Sequence, residues 1–216
     1  MRNIEFEDNE YYHIFNRGVE GRNIFMEYYD LTRFLDSLVL FNSVQPIGSI
    51  YERSFENTEH KNPNKRLVEI ICYCLNPNHF HLLLRQKTRN GISIFMHRLG
   101  GYTMYFNEKN KRKGSLFQGV FKAKHIDDND YLLHTSAYIN LNARVHKLGG
   151  ETSKLSESSW SEYTKAKVNS KICNTEIILD QFKSKKEYAD FCEDSLGLMW
   201  QAKNEAYELK AVILEE

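Results

Sequence analysis

The stretch CLNPNHFHLLLRQ, residues 74–86, constrains the fold of this chain more than any other. Its NPN tripeptide is a turn signal that separates an apolar strand, residues 67–75, from a run containing two histidines. We therefore expect an antiparallel hairpin. Because side chains alternate along a strand, His79 and His81 should project from one face. Such a pair is half of a metal site, or else two histidines hydrogen-bonded to each other or to the backbone.

The other segments predict an α+β domain. We expect a strand at 10–17, an amphipathic helix at 25–42, a loop at 43–66, a helical region at 91–108 weakened by Gly100-Gly101, a strand within 115–126, and a helix at 128–148 that DDND begins and Gly149-Gly150 ends. Together these elements indicate a mostly antiparallel central sheet of four to five strands, packed with helices. Residues 1–150 are the predicted working domain. Residues 151–216 are a C-terminal extension, partly helical, with Trp160 as its anchor.

Composition excludes some classes of protein. The chain of 216 residues is 41% hydrophobic and 27% charged, as is usual for a globular protein. It has no apolar run long enough to span a bilayer, and its start is acidic and polar rather than typical of a secretory signal. We expect a cytoplasmic protein with no membrane partner. The four cysteines fit reduced thiols that fill core space.

Positive charge is concentrated in one part of the sequence. The net charge is zero, yet the segment from Arg98 to Lys124 holds seven basic residues and one acid, Glu108. This local excess is sufficient to attract phosphate groups, although a solvated basic loop would have the same composition.

The helix at 128–148 is the best source of a further metal ligand. Tyr138 and Asn142 are four residues apart and therefore lie on one helical face, with His134 one turn earlier. Asn142 offers a carbonyl oxygen, and Tyr138 offers a hydroxyl that could act as a nucleophile. A half-buried packing tyrosine and a polar residue near a helix end are the alternatives.

These motifs resemble those of a known family. YCLNPNHFHLLLR resembles the HUH motif (histidine, bulky hydrophobic residue, histidine) of single-tyrosine transposases. The stretch from GSLFQGVF to ARVHKLGG is similar to their tyrosine helix, especially that of the REP-associated tyrosine transposases, and YYHIFNRGVEGRNIF and SSWSEY are also similar to segments of that group. The resemblance covers roughly residues 10–165. It departs at Ala143, where the family usually has proline.

The resemblance implies a ferredoxin-like, RRM-like HUH nuclease fold and a metal-dependent single-stranded DNA endonuclease and strand transferase. It assigns His79 and His81 as the metal-binding pair, Asn142 as the third ligand and Tyr138 as the nucleophile. Mg²⁺ or Mn²⁺ would be the cofactor, and cleavage would leave a covalent 5′-phosphotyrosine. A hairpin beside the cleavage site would be recognised.

We expect DNA to contact six polar or basic residues: Asn16, Arg17, Arg98, Arg112, Lys122 and Lys124. Phe117 and Tyr102 are candidates for stacking on unpaired bases. A homodimer and a monomer both remain open. The alternatives in function are a domesticated nucleic-acid-binding module that no longer cleaves DNA, and a metal hydrolase that acts on a small phosphoester.

Overall fold

The computed structural model describes residues 4–46, 66–148, 154–168 and 171–213, with side chains described as far as residue 202. The strands are β1 (Tyr11–Arg17), β2 (Val68–Asn76), β3 (His79–Gln86), β4 (Lys122–Ile126) and β5 (Glu157–Ser158). The helices are α1 (Tyr28–Leu40), α2 (Gly91–Leu99), α3 (Tyr102–Lys109), α4 (Asn129–Asn140), α5 (Asn142–Val145), α6 (Trp160–Thr164), α7 (Glu176–Leu179) and α8 (Lys185–Ile213), with a 3₁₀ turn at Val19–Gly21. Most of the predicted loop at 43–66, and Gly149-Gly150, lie outside the described residues.

The five strands form one antiparallel sheet in the order β4-β1-β3-β2-β5. The first four strands, in the order 4-1-3-2 with helices between β1 and β2 and between β3 and β4, make the β-α-β-β-α-β arrangement of ferredoxin-like domains. The short β5 adds a fifth strand beside β2. The predicted α+β fold with a ferredoxin-like sheet is therefore confirmed.

The predicted hairpin is also confirmed. β2 and β3 pair through a two-residue turn at Pro77 and Asn78, which sets Asn76 opposite His79 and Cys74 opposite His81. The Pro77 carbonyl accepts hydrogen bonds from the backbone N–H groups of Ile24 and Phe25, at 2.6 and 3.1 Å. This turn is therefore tied to the segment that leads into α1.

Each face of the sheet is covered by a separate hydrophobic cluster. One face packs against α1, α2 and α3, with Ile14, Phe34, Phe80 and Leu82 among its fully or almost fully buried side chains. The opposite face packs against α4, α6 and α8. The four cysteines are free and buried, as predicted.

Three predicted elements differ from the structure. The region 91–108 is two helices, which meet at Gly100-Gly101, the pair that weakened the prediction. The strand predicted within 115–126, β4, begins only at Lys122, because Leu116 turns into the core and Gly119 adopts a φ of +73° that an extended strand does not allow. The helix predicted for 128–148 breaks at Leu141, whose φ and ψ of −102° and 11° leave Asn142 in a separate turn.

The C-terminal extension is helical apart from β5, and it packs on the face of the sheet that α4 covers. Tyr163 in α6 is fully buried and donates to the carbonyl of Ile71 at 2.8 Å. Trp160 is only half-buried, so Tyr163 is the stronger anchor. Within the part of the chain that the structure describes, no helix combines the length and apolarity needed to cross a membrane.

Candidate functional site

One face of the sheet collects the polar side chains predicted to carry chemistry. Directly opposed residues of antiparallel strands share a face. The register therefore forms two rows across the strands, with Asn76, His79 and Arg17 in one, and Cys74, His81, Phe15 and Lys122 in the next. The sequence predicted that both histidines lie on one face, and the register agrees.

His79 presents a lone pair to the site. Its Nδ1 lies 2.6 Å from Oδ1 of Asn78, and Nδ2 of that amide donates to the Gly21 carbonyl at 3.3 Å, which fixes the amide's orientation. Nδ1 of His79 therefore donates to Asn78. Burial is the main cause that lowers the pKa of His79, so the ring is neutral and Nε2 carries no proton.

His81 is buried against a third histidine. Nε2 of His13, on β1, lies 2.8 Å from Nδ1 of His81. Burial lowers the pKa of His13 to about 4, and burial together with neighbouring histidines holds the pKa of His81 well below its usual range. Both rings are therefore neutral at pH 7, and one donates to the other. If His81 is the donor, its Nε2 is available as a ligand.

Helix α4 places Tyr138 over the histidine face. Its ring centroid is 5.5 Å from that of His81 and 6.1 Å from that of His13, in edge-on contacts. The tyrosine is half-buried, and burial raises the pKa of its phenol, while the amide of Asn142 acts in the opposite direction. The structure thus brings the predicted nucleophile to the two predicted ligands.

Asn142, the first residue of α5, belongs to the same cluster of side chains. Its Oδ1 lies 3.0 Å from Nε2 of His79, and it is fully buried. Its Nδ2 is buried without a hydrogen-bond partner among the described residues. The break at Leu141 is what turns this side chain towards the hairpin.

Two of the predicted ligand atoms are spaced as neighbouring ligands of an octahedral cation would be. Octahedral Mg²⁺ has ligand bonds of about 2.1 Å, which puts neighbouring ligands about 3 Å apart. The two lone-pair atoms of His79 and Asn142 lie 3.0 Å apart. No group of three or more histidine, cysteine or acidic side chains suited to a metal exists among the described residues, so the amide oxygen is essential to such a site.

A cavity of about 450 Å³ opens onto this cluster. Its walls include three of the residues predicted to contact DNA, Asn16, Arg17 and Lys122. The cavity is lined by Phe15, Asn16, Arg17, Asn78, His79, His81, Gln118, Lys122, Tyr138, His146 and Leu148. Lys124 lines an adjacent cavity of about 370 Å³, together with His134 and Tyr138.

Two predicted DNA contacts lie elsewhere. The guanidinium of Arg98 donates to the carbonyls of Phe41, Ser43 and Gln45 at 2.6–3.2 Å and so closes the end of α1. That of Arg112 binds Asn107 and the carbonyl of Ser115 within the turn after α3.

The two aromatic residues predicted to stack on bases are also engaged elsewhere. Tyr102 is buried and donates to the Ile24 carbonyl at 2.7 Å, so it is unable to stack on a base. Phe117 packs against Phe80 on the opposite face of the sheet.

Sequence reasoning missed three residues of the site. His13 and Asn76 enter it through strand register, and His146 through the turn of α5, where its ring lies 5.2 Å from that of His79. Side-chain alternation along β1 shows only which residues of that strand share a face with His13. The position of His13 beside His81 depends on the pairing of β1 with β3. The four-residue spacing from Asn142 to His146 was a usable signal.

The fold agrees with comparisons to known proteins. Residues 47–142, somewhat less than half of the chain, match the family described as transposase IS200 like. The match includes the hairpin, α4 and Asn142. It confirms the resemblance to single-tyrosine transposases that the motifs indicated, and this part of the chain is similar to IS200-like transposases. No curated protein matches the chain.

Among solved structures, the chain is similar to a REP-associated tyrosine transposase bound to a REP hairpin. The match has a TM-score of 0.51 and 12% identity, and it covers 75% of this chain and 83% of the other. At that identity the likeness establishes the fold.

Proposed function

We propose that this protein is a metal-dependent, single-stranded DNA endonuclease and strand transferase of the HUH type, with Tyr138 as its nucleophile. The observation that carries the proposal is the convergence of four side chains at one sheet face: the Tyr138 ring is 5.5 Å from His81, and Oδ1 of Asn142 is 3.0 Å from Nε2 of His79. Packing alone does not require a neutral histidine pair, an amide oxygen and a phenol at one point.

His79, His81 and Asn142 would hold Mg²⁺ or Mn²⁺, which would bind a phosphate oxygen and neutralise charge that develops there. Two neutral imidazoles and one amide oxygen leave positions for water and substrate. The low pKa values of the two histidines favour this role, because protons do not compete for their nitrogens at pH 7.

Tyr138 would attack the scissile phosphorus. A bond forms between its phenolic oxygen and phosphorus, and the bond from phosphorus to the 3′ oxygen breaks, which leaves a 5′-phosphotyrosine and a free 3′-hydroxyl. Burial raises the pKa of the phenol, so deprotonation needs help. The unpaired Nδ2 of Asn142 is the candidate donor to the phenolate oxygen. Because the ester linkage is conserved, the reverse attack by a 3′-hydroxyl rejoins DNA without ATP.

The DNA strand would lie in the cavity beside β1 and β4. Arg17 and Lys122 line this cavity and would contact phosphates, with Asn16 at its wall and Lys124 in the next cavity. Such contacts position the strand without reading its sequence. The hairpin held by the similar transposase supports hairpin-bearing single-stranded DNA as the substrate class.

The test is the covalent adduct itself. We expect a protein–DNA adduct on a denaturing gel when the protein is incubated with Mg²⁺ and single-stranded oligonucleotides that carry hairpins. Tyr138→Phe should abolish the adduct. Tyr131→Phe is the matched control, because Tyr131 lies on the same helix, two turns earlier, and is exposed. An adduct that persists in Tyr138→Phe would exclude this nucleophile. DNA binding without metal-dependent nicking over a broad panel would favour the non-cleaving module.

A further inference from the structure

Asn76 lies at the centre of the ligand cluster, although neither the motif nor the proposed mechanism assigns it a role. It ends β2 directly opposite His79, and its side chain is fully buried. Nδ2 of Asn76 is 2.7 Å from Oδ1 of Asn142 and 3.0 Å from Nε2 of His79. Its Oδ1 accepts from the thiol of Cys74 at 3.7 Å, so the amino group is the end that faces the cluster.

Both partners of this amino group are acceptors. Nε2 of His79 has no proton, since Nδ1 donates to Asn78. Oδ1 of Asn142 is a carbonyl oxygen. The two N–H bonds of Asn76 therefore satisfy, one each, the two lone pairs that a cation would use. Without them, the fully buried oxygen of Asn142 and the half-buried nitrogen of His79 would face each other unpaired at 3.0 Å.

We propose that the amide of Asn76 takes the place of the cation in the metal-free protein and withdraws when the cation binds. The proposal rests on the proposed function, because it requires the ion to bind His79 and Asn142. N–H groups and a cation compete for the same lone pairs. Asn76 therefore keeps the two ligands in place before metal binding, and it also makes the metal bind less tightly, because two hydrogen bonds must first be broken.

Removal of the amide tests the competition directly. Asn76→Ala should bind Mn²⁺ about tenfold more tightly than the wild type in calorimetry, because two neutral hydrogen bonds need no longer be broken. The metal-free variant should melt at a lower temperature and gain more from saturating Mn²⁺. Asn42→Ala is the matched control: Asn42 is buried and also makes two hydrogen bonds, to the backbone of Val68, in the other core. It should lower the melting temperature without changing the affinity for Mn²⁺.

A second measurement uses the wild-type protein, so it does not depend on whether the variant folds. The side-chain N–H₂ signals of Asn76, identified by their loss in Asn76→Asp, should move towards the positions of a solvent-exposed amide when Mg²⁺ is added. Signals that keep their positions at saturating Mg²⁺ would overturn the proposal.

The outcomes separate the two proposals. Mn²⁺ binding that is absent in the wild type would overturn both the metal-dependent function and the role of Asn76. Mn²⁺ binding that depends on His79, tested with His79→Ala, but is unchanged or weaker in Asn76→Ala, would overturn the role of Asn76 alone.

Discussion

His13 offers the sharpest test of how the proposed metal site is held. It lies on β1, only 7% exposed, with Nε2 2.8 Å from Nδ1 of His81. If His81 uses Nε2 as a ligand, its Nδ1 must carry the proton and donate it to His13. His13→Leu removes the acceptor, leaves the His81 N–H buried without a partner, and allows the ring to adopt the tautomer whose Nε2 is protonated.

The expected loss follows from the single hydrogen bond that is removed. Loss of such a hydrogen bond to a ligand histidine typically costs 10–100-fold in metal affinity, or about 1.4–2.7 kcal/mol. His13→Gln should recover most of this loss, because its Oε1 occupies nearly the position of the histidine Nε2 and can only accept. A difference in Mn²⁺ affinity between these two variants would indicate that His13 controls the tautomer of His81. Equal affinities would indicate a simple loss of packing.

Calorimetric titration with Mn²⁺ measures the effect, and formation of the DNA adduct at limiting Mn²⁺ provides a second readout. His125→Leu is the control, since His125 is exposed on β4 and pairs with Glu10. If His13→Leu binds Mn²⁺ as tightly as the wild type, then His13 is the donor of the pair, and His81 does not bind the metal through Nε2 in the way assumed here.

Three further predictions concern pH, DNA and stability. The pKa of His13 is about 4 in the folded protein and 6.5 in the unfolded chain, so the unfolded state binds more protons between these values. The free energy of unfolding of the metal-free protein should therefore fall as the pH falls from 6.5 to 4, and this residue should account for up to about 3 kcal/mol of the decrease. The decrease should be smaller in His13→Leu. Urea denaturation at each pH measures the effect, and a free energy of unfolding that does not change with pH would contradict the prediction. Arg17→Ala should weaken single-stranded DNA binding and lower the slope of log K against log salt by about 1. Arg98→Ala should leave the affinity and the slope unchanged but lower the midpoint of unfolding. Equal effects of the two variants on DNA binding would refute the placement of Arg98. Tyr188→Phe should lower the free energy of unfolding by about 1–3 kcal/mol, because it removes the hydroxyl that accepts from Asn140 and bonds to Ser136. Tyr29 is exposed, so Tyr29→Phe should change the free energy of unfolding very little in the same denaturation assay.

The sequence predicted what depends on local periodicity. The hairpin of residues 67–86, the shared face of His79 and His81, and the helix that carries Tyr138 all follow from short-range patterns. The packing of that helix on the histidine face was expected only because the chemistry required it. The edge-on contact of Tyr138 with His81 agrees with that expectation.

Long-range pairing could not be predicted in the same way. His13 and His81 are 68 residues apart, and a shift of one residue between β1 and β3 would turn His13 to the other face. Arg98 was assigned to DNA by charge alone, and no sequence pattern indicated that three backbone carbonyls would engage it. The sequence did not indicate the helix break at Leu141, because residues 140–144, NLNAR, contain neither proline nor glycine, the usual signals of a helix end.

The helix break makes the C-terminal extension a support for the proposed site. Tyr138 and Asn142 lie on opposite sides of Leu141, so their separation is not set by one continuous helix. Residues of α8 bond to the chain before and after Leu141. Tyr188 bonds to Ser136 and Asn140, and Glu193 makes a two-point ion pair with Arg144 at 2.5 and 2.8 Å. These contacts of α8 therefore help to set the distance between the proposed nucleophile and the proposed third ligand.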